Sequence, residues 1–482
     1  MEDRTLGRCL TEYAGGGYYP YHMPGHKRRG AQGGSFSEAL AASMRYDITE
    51  IDGFDNLHEP EGILLEAQER AAALYGADDC FYSVNGSTAG ILTAVSAAVP
   101  EGGKLIMARN CHKAVYHSVY LRHLEPVYLY PGTVGDTELA APVTAAQVEE
   151  ALEQNPDAKA VLIVSPTYDG VAADVAGIAK AVHRRGVPLI VDAAHGAHFG
   201  LHPGFPESPV RLGADLTVVS LHKTMPCPTQ TALLLCSGSR VAKERLRLFE
   251  GIYQTSSPSY LLMAAMDECV SAVRRTGAAL WDAFFRERAA FLEQCSGLSG
   301  LRILTDGTFE LGKTGEQLKF LMDPGKILIE TSKTCLTGKQ FYDILLEQYH
   351  LQMEMAAGNY VTAIMTCCDS KEGWQRLAEA LVSIDRSVAG SVPGHESRLR
   401  EYPFLEKAVS LTEALDAPKE KASLEEAEGK ISGGFVNLYP PGIPVVVPGE
   451  RISREAARLI MRYRQQNLPL QGAEEGAITI LK

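Results

Sequence analysis

The chain has 482 residues, of which 45% are hydrophobic and 22% are charged, and its formal net charge is −13. This balance is typical of a globular protein, and the negative charge argues against nucleic-acid binding, which requires clustered Lys and Arg. The amino-terminal segment lacks the apolar core of a signal peptide, and the polar run NGST interrupts the longest uncharged stretch, 80–100. We therefore expect a cytoplasmic protein of roughly two to four domains, with no nucleic-acid or membrane partner.

In chain order, residues 1–50 are rich in Gly, Tyr and Pro and indicate an irregular arm. Residues 51–275 then alternate strand-like and helix-like runs. The helices are EGILLEAQERAAALYG, STAGILTAVSAAV and AGIAKAVHRRG, and the strands are CFYSV, KLIMA, KAVLIVSPTY and VPLIVDAAHG. Such alternation predicts a large α/β domain with a mainly parallel sheet flanked by helices. Chemistry in such sheets gathers at the carboxyl ends of the strands.

The rest of the chain, residues 276–482, shows a different pattern. Residues 276–390 combine long helical runs with the strand pieces GKILIETS and YVTAIMT, which predicts a smaller α+β domain. Residues 391–482 form a predicted carboxyl-terminal domain. Its first part, 391–431, is charged and predicted to be helical in places, as in KEKASLEEAEGK, and it can contain a linker. The ten cysteines include no C-x-x-C pair, so neither a zinc ribbon nor a dithiol redox site is predicted.

A candidate phosphate site lies where the first strand of the large domain ends. Asn85 and Gly86 permit a tight turn, and Ser87 and Thr88 open a helix whose first N–H groups can bind an anion. The segment is neither a Walker loop nor G-x-G-x-x-G, because neither spacing of glycines occurs here. Taken alone, it also fits an ordinary turn between a strand and a helix.

A candidate carboxylate follows the strand LIVDAAHGAHFG. Asp192 ends an apolar run, where a carboxylate needs a partner if it is buried. It can be a loop or helix-capping residue, or it can hold a ring nitrogen, with the small Ala194 leaving room for a flat group. A third possibility is a metal site with His195 and His198, since the spacing D-x-x-H-x-x-H supplies three ligands.

A candidate amine lies in VVSLHKTMPCPTQ, at the end of another apolar strand. A half-buried lysine has a lowered pKa, which an amine that attacks a carbonyl needs, so Lys223 is a candidate nucleophile. Ser220 and Thr224 are further donors to a phosphate. The alternative is that Lys223 extends into solvent.

A phosphate cradle, a carboxylate and a lysine together match the three anchoring points of pyridoxal phosphate, namely its phosphate, pyridine nitrogen and aldehyde. The segment RNCHKAVYHS adds His112, which can stack on the ring opposite Ala194. The combination therefore predicts this cofactor more strongly than any one of the three segments does.

With these motifs, the sequence resembles the ornithine/lysine/arginine decarboxylase family, which has the type I aminotransferase fold, in its short bacterial branch without an amino-terminal wing domain. The segments that carry the resemblance are MPGHKRRG, LHEPEGILLEAQERAAALYGA, NGSTAGILTAV, RNCHKAV, SPTYDGVAADV, VDAAHGAHFG, SLHKT, QTSSPSYLLMAAMD and YPPGIPVVVPGE. They span almost the whole chain.

The resemblance implies a role for each matching residue. Lys223 would hold the cofactor through a Schiff base, Asp192 would keep the pyridine nitrogen protonated, and His222 would place the substrate carboxylate or return a proton to Cα. The residues implied to contact the cofactor are Gly86, Ser87, Thr88, His112, Asp192, Ala194, His195, Ser220, Lys223, Thr255 and Ser256. Of these, Thr255 and Ser256 would reach the phosphate of a neighbouring subunit, in a homodimer or higher homo-oligomer with shared sites.

The resemblance implies decarboxylation of arginine, lysine or ornithine, in polyamine synthesis or in acid resistance. Glu354 and Glu450 are candidates for reading the basic side chain, or else solvated surface residues. HKTMPCPTQ departs from the glycine-containing form of the arginine enzymes, so the substrate is left open. Two alternatives are an aminotransferase on the same scaffold and a regulatory homologue without catalysis.

Overall fold

The computed structural model describes the chain except residues 1–3, 29–37, 135, 136, 138, 306, 312–315, 392–402 and 439–441. The end of the motif MPGHKRRG and the YPP of YPPGIP therefore lie outside the described residues. The chain forms two compact units: unit one comprises Met1–Ala98 and Pro188–Leu280, and unit two comprises Val99–Val187 and Trp281–Lys482. The four-domain division expected from the sequence stays a prediction.

The helices and strands are numbered in chain order. The helices are α1 (Leu6–Gly15), α2 (Glu38–Ser43), α3 (Ile63–Tyr75), α4 (Gly86–Ala98), α5 (Lys113–Leu121), α6 (Ala145–Gln154), α7 (Val175–Arg184), α8 (Leu221–Thr224), α9 (Lys243–Tyr253), α10 (Tyr260–Gln294), α11 (Gly338–Tyr349), α12 (Lys371–Val388), α13 (Leu411–Asp416) and α14 (Arg454–Gln465). The strands are β1 (Asp79–Ser83), β2 (Lys104–Ala108), β3 (Glu125–Leu129), β4 (Ala160–Val164), β5 (Val171–Ala172), β6 (Leu189–Asp192), β7 (Leu216–Ser220), β8 (Ala232–Cys236), β9 (Arg302–Leu304), β10 (Gly307–Leu311), β11 (Glu316–Met322), β12 (Lys326–Glu330), β13 (Met355–Ala356), β14 (Tyr360–Ile364), β15 (Lys419–Ser423), β16 (Val436–Leu438), β17 (Ile443–Val446), β18 (Leu470–Gln471) and β19 (Ala477–Leu481).

Unit one contains four strands in the order β1-β8-β7-β6. β6 and β7 are parallel, with Asp192 opposite Val218, whereas β8 runs antiparallel to both β7 and β1. Every residue of β7 and β8 is buried, which explains their apolar sequences LTVVS and ALLLC. Because parallel strands end at the same edge, Asp192 and Ser220 both lie at the carboxyl edge of this pair.

Helix α4 packs directly on these strands because a glycine lets it approach closely. A Cβ atom on Gly90 would lie only 3.1 Å from Cγ1 of Val218. The helix is rich in small residues and carries no charge, so it can be buried along most of its length. This close packing holds the first turn of α4 near the end of β7.

Unit two contains three parallel strands in the order β4-β2-β3 and several smaller sheets. The four-stranded sheet β13-β14-β12-β9 is antiparallel, and the short sheets β17-β16-β18 and β15-β19 lie in its carboxyl-terminal part. Helix α14 packs there with buried residues of β16, β17 and β19 in one apolar cluster. The parallel strands and their helices, together with these small sheets, confirm the predicted α/β fold class.

Two secondary-structure predictions were wrong. The arm is not irregular throughout, because α1 buries Leu6, Cys9 and Leu10 on one face, and the Thr5 hydroxyl caps it by accepting from Arg8 N. The segment that begins KEKAS is not helical: it forms β15, which pairs with β19 and buries Ala422. Pairing across the sheet thus overrides the helix propensity of its Lys, Glu and Ala residues.

None of the helices in the described parts of the chain combines the length and the apolar character that a membrane crossing requires.

Candidate functional site

Lys223 lies on the single-turn helix α8, which follows directly on β7 in unit one. Its side chain is half-buried, and Nζ lies 3.1 Å from Nε2 of His195. Burial raises the pKa of the Asp192 carboxyl group, and the positive charge of Lys223 opposes that rise. These contacts argue against the alternative that Lys223 simply extends into solvent.

Asp192 ends β6 and is only 4% exposed. Burial raises the pKa of its carboxyl group above the ordinary value, while the charge of Lys223 and the hydrogen bond from Ala194 N act in the opposite direction. That hydrogen bond to Oδ1 measures 3.1 Å. The carboxylate therefore lies in a site of low dielectric, where one further positive group would favour its charged form.

Two buried hydroxyl groups lie beside Lys223 in the sequence. Ser220, at the end of β7, is fully buried, and Thr224, the last residue of α8, is 4% exposed. Neither Oγ of Ser220 nor Oγ1 of Thr224 has a hydrogen-bond partner among the described residues. A buried hydroxyl without a partner lowers the stability of the fold, so the two together indicate a binding site for a polar ligand.

The first turn of α4 is the second part of this site. Gly86 has φ of 72°, a left-handed conformation that glycine adopts without strain, and its N–H donates to Gln230 O at 2.9 Å. Ser87 and Thr88 follow in the first turn, where N–H groups have no acceptor within the helix. The helix end can therefore bind an anion, as the sequence predicts.

One short peptide segment connects the two parts. Gln230 O accepts from Gly86 N, and the next carbonyl, Thr231 O, accepts from Leu221 N at 3.0 Å. The strands agree with this, since Ala232 of β8 lies opposite both Ser83 and Ser220. The start of α4 and the lysine-bearing helix α8 are thus fixed to adjacent residues of one segment.

His222 is oriented by the same segment. Its Nδ1 lies 3.0 Å from Thr231 O, an arrangement in which Nδ1 carries the proton and Nε2 holds the lone pair. Burial lowers the pKa of His222, and the charge of Lys223 lowers it further. The imidazole is therefore neutral near neutral pH. This carbonyl contact could not be predicted from the sequence, because Thr231 belongs to no recognisable motif.

Of the other predicted site residues, Ala194 lies beside Ser220 and Asp192, whereas Thr255, Ser256 and His112 have other surroundings. Thr255 and Ser256 are exposed after the end of α9, where Thr255 O lies 2.9 Å from Nε2 of His58. Ala194 is buried, and its carbonyl accepts from Ser220 N at 3.4 Å. His112 belongs to unit two, where it caps α5 by accepting from Ala114 N at 3.2 Å.

The metal alternative finds no support in the arrangement of side chains. Asp192, His195 and His198 do not form a ligand group, and nowhere in the described residues do three His, Cys, Asp or Glu side chains converge in that way. His198 instead packs edge-on against Phe199 and Phe205.

The two glutamates considered for substrate recognition are in different surroundings within unit two. Glu450 is 1% exposed and binds the Arg109 guanidinium through both carboxylate oxygens, at 3.2 and 2.9 Å. It is neither solvated nor open to a ligand, so that candidate role is wrong. Glu354 is exposed and accepts a hydrogen bond from the Tyr168 hydroxyl. Arg109 begins the motif RNCHKAV, but nothing in the sequence pairs it with Glu450, which follows it by 341 residues.

Comparison with known proteins gives a consistent result. A family described as Orn/Lys/Arg decarboxylase, major domain, matches residues 5–309, and its C-terminal domain matches residues 401–468. The chain is 31% identical to the arginine decarboxylase of Bacillus subtilis, over 100% of this chain and 98% of that protein. It is 30% identical to the arginine decarboxylase of Bacillus anthracis, over 100% and 97%.

Among solved structures, the fold is similar to that of the Francisella novicida lysine decarboxylase LdcF. The TM-score is 0.82, and the superposition covers 99% of this chain and 81% of that chain. The sequence identity is 18%, so this likeness concerns the fold alone.

Proposed function

Because the chain belongs to the Orn/Lys/Arg decarboxylase family, we propose that it binds pyridoxal phosphate in unit one and converts a basic amino acid into the corresponding amine and CO2. The observation that carries this proposal is the grouping of Lys223, His195 and Asp192 at the end of adjacent parallel strands. The resemblance inferred from the sequence is confirmed by the family matches, whereas the cofactor and its contacts belong to the proposal.

The cofactor phosphate would bind between the first turn of α4 and the end of β7. The N–H groups of Ser87 and Thr88 would donate to phosphate oxygens, and the hydroxyls of Ser220 and Thr224 would find there the acceptors that they otherwise lack. The Ser220 hydroxyl gives this binding mode its strongest support, because it is fully buried and has no hydrogen-bond partner among the described residues.

Asp192 and Lys223 would hold the opposite parts of the cofactor. Asp192 would pair with the protonated ring nitrogen, and this second positive partner would oppose the rise in its pKa that burial causes. Lys223 would hold the aldehyde end through its amine, with His195 beside it. When bound, the cofactor supplies an electron sink for the electron pair released as the carboxylate leaves Cα.

The roles of the remaining residues follow from their protonation. With Nδ1 of His222 donating to Thr231 O, Nε2 is an acceptor, so His222 can return a proton to Cα only after Nε2 has gained one. Lys223 is the neighbouring source of that proton. The stacking role that the resemblance implies for His112 stays a prediction. This part of the proposal rests on the family resemblance.

We test the reaction by supplying purified protein, loaded with pyridoxal phosphate, with arginine, lysine and ornithine in turn. CO2 and the matching amine are expected from at least one of them, and Lys223→Ala is expected to abolish both products. The exposed Lys180→Ala serves as the matched control. Keto acid without CO2 would support an aminotransferase instead, and a protein that never acquires the cofactor's visible absorbance would support a silent homologue.

The proposal extends to assembly and cellular location. Thr255 and Ser256 are exposed in the single chain, as expected if they reach the phosphate site of a second copy. A homodimer or higher homo-oligomer is therefore expected in sedimentation experiments, and Ser256→Trp should weaken it together with cofactor binding. A monomer that retains full cofactor affinity would contradict shared sites. We further propose a cytoplasmic enzyme.

A further inference from the structure

A cleft in unit one opens between α3, β1 and α9. Its free space is about 730 Å³ when the open mouth is included, which suits a small molecule rather than a protein segment. Four residues of α3 line it at the spacing i, i+3, i+4 and i+7, which places them on one face of the helix: Leu65, Gln68, Glu69 and Ala72. None of the residues that line this cleft is assigned above to the cofactor or the substrate.

The floor of the cleft is a buried carboxyl group. Glu250, on α9, is 6% exposed, and its Oε2 contacts the side chain of Gln254. No positively charged group among the described residues neutralises it, and burial raises the pKa of the carboxyl group to about 8. The group is therefore mainly protonated at neutral pH, and a cation that enters the cleft would favour its charged form.

Gln68 is a second buried polar group in the same cleft. It is 7% exposed, and its side-chain amide makes no hydrogen bond within the parts of the chain that the structure describes. A buried amide without partners lowers the stability of the fold, so its position in an open cleft indicates a ligand. The amide oxygen can accept a hydrogen bond from that ligand, beside apolar walls formed by Leu57 and Phe81.

The charges around the cleft are mainly negative. Besides Glu250, the ionisable side chains that line it are those of His58, Glu69, Asp78, Asp79, Cys80, Tyr82 and Arg247. Asp79 pairs with Lys243, whereas Glu69, exposed at the mouth, forms no ion pair within the described residues. The lining carboxyl groups outnumber the single permanent cation, Arg247, so the cleft attracts a positively charged ligand.

An organic cation suits this cleft better than a metal ion does. Nowhere in the described residues, the cleft included, do three His, Cys, Asp or Glu side chains converge as metal ligands. We propose that the cleft binds an aliphatic diamine or a longer polyamine, with one ammonium group between Glu250 and Gln68. The methylene chain would lie along Leu57 and Phe81, and a second ammonium group would lie near Glu69. Ammonium groups donate to the polar residues, and burial of the methylene groups adds affinity.

Gln254 connects the cleft to the strand end that precedes the predicted phosphate turn. Its Nε2 donates to Tyr82 O at 3.0 Å and contacts Glu250, and its Oε1 accepts from Val84 N at 2.8 Å. Gly86 follows two residues later. Ionised Glu250 would accept more strongly from Gln254 and thus hold this strand end more firmly. That a product amine could act on the turn in this way rests on the proposed function, whereas the diamine site itself does not.

The decisive measurement is calorimetric titration of the whole chain, loaded with pyridoxal phosphate, with butane-1,4-diamine. Because the bound ammonium group ionises Glu250, about one proton should be released per diamine at pH 7, which buffers of different ionisation enthalpy reveal. The affinity should rise about tenfold from pH 6 to pH 7 and level off above about pH 8. Butan-1-ol, which carries no charge, should not bind.

Substitutions separate this cleft from the catalytic site, where a product amine also binds under the proposed function. Glu250→Gln should abolish the proton release and weaken the diamine by about tenfold or more, and Gln68→Leu should weaken it while proton release is retained. Glu244→Gln, exposed on α9 and outside the cleft, should leave both quantities unchanged. Wild-type affinity and proton release in Glu250→Gln would overturn the proposal.

The two proposals fail in different ways. A protein that binds the diamine through Glu250 but releases no CO2 from arginine, lysine or ornithine retains the site, and the proposed function fails. A decarboxylase whose diamine binding is insensitive to both Glu250→Gln and Gln68→Leu retains the proposed function, and the diamine site fails.

Discussion

Two buried groups of charged residues in this protein differ in how completely their polar atoms are satisfied. In unit two, Arg109 donates to both oxygens of Glu450, to Pro444 O and to Val445 O, and Val447 N donates to the same carboxylate. In unit one, Asp192 and Lys223 lie near hydroxyls of Ser220 and Thr224 that have no partner among the described residues.

The difference separates a structural group from a functional one. A buried ion pair whose hydrogen bonds are all made has nothing left to offer a ligand, and its residues serve mainly to fix the chain. A buried group with unpaired hydrogen-bond donors destabilises the folded protein by itself. A ligand that accepts those hydrogen bonds raises the free energy of unfolding. Burial and charge alone do not distinguish the two cases; unpaired hydroxyls close to the charged residues are the additional sign.

The largest effect is expected for Lys223→Ala. Decarboxylation should fall on the order of 10³-fold or more, because the lost amine acts chemically, whereas the temperature of unfolding without cofactor should change little. Product formation and scanning calorimetry measure the two effects, with the exposed Lys180→Ala as control. A large loss of stability with only a modest loss of rate would place Lys223 in the structural class instead.

Removal of one partner from the ion pair in unit two should act on stability. Arg109→Met leaves the Glu450 carboxylate buried without its partner, which typically costs about 3–5 kcal/mol. The double variant Arg109→Met with Glu450→Leu should recover much of that loss in urea unfolding. Arg451→Met, which breaks the exposed pair with Glu406, should have little effect. No recovery in the double variant would contradict a purely structural role.

Glu250 extends the comparison to a buried carboxyl group whose pKa is strongly raised. Burial raises that pKa to about 8, although hydrogen bonds with the side chains of Gln254 and Thr93 act in the opposite direction. A raised pKa in the folded state means that the stabilising contribution of the protonated group is present below the ordinary pKa of 4.5 and is lost as the pH rises through about 8.

The stability of the wild-type protein should therefore fall, relative to Glu250→Gln, between about pH 5 and pH 9. The difference is expected to amount to a few kcal/mol, measured by urea unfolding at each pH. The exposed Glu244→Gln, on the same helix, should retain the wild-type slope. Parallel profiles for the wild type and Glu250→Gln would show that Glu250 does not titrate in this range.

The smallest effect is expected for Ser220→Ala. Under the proposed function, loss of a hydroxyl that would bind the phosphate should weaken the binding of pyridoxal phosphate by about tenfold. The protein without cofactor should be equally stable or slightly more stable. Thr217→Val is the matched control, since Thr217 lies on the same strand and its hydroxyl also lacks a partner among the described residues. Equal weakening by both substitutions would indicate a general effect of β7.

Much of the fold and the family could be predicted because their signals are local. The apolar runs of β6 and β7 are short and β-branched, and α3 ends at Tyr75, directly before the glycine that the sequence marks as its end. The motifs around Asp192 and Lys223 are contiguous, so the chain order alone shows that both follow strands.

The remaining features depend on contacts between residues far apart in the chain. Arg109 and Glu450 meet through folding alone, and neither belongs to a pattern that indicates the other. The strand β15 has a helical composition and becomes a strand only by pairing with β19. Similarly, the group that orients His222 is the backbone carbonyl of Thr231. Any residue that does not distort the chain could supply this carbonyl, so the identity of the residue carries no signal.

The adjacent carbonyls of Gln230 and Thr231 also determine when the site can form during synthesis. Gly86 is synthesised early, but its N–H cannot form its hydrogen bond until Gln230 has been made. Gln230 is made only after the whole Val99–Val187 segment of the other unit. A nascent chain that ends before β8 therefore has an open turn at α4 and an unanchored α8. The surroundings of Lys223 are therefore among the last parts of unit one to be completed. Under the proposed function, premature termination should yield a protein that binds no cofactor rather than a weak enzyme.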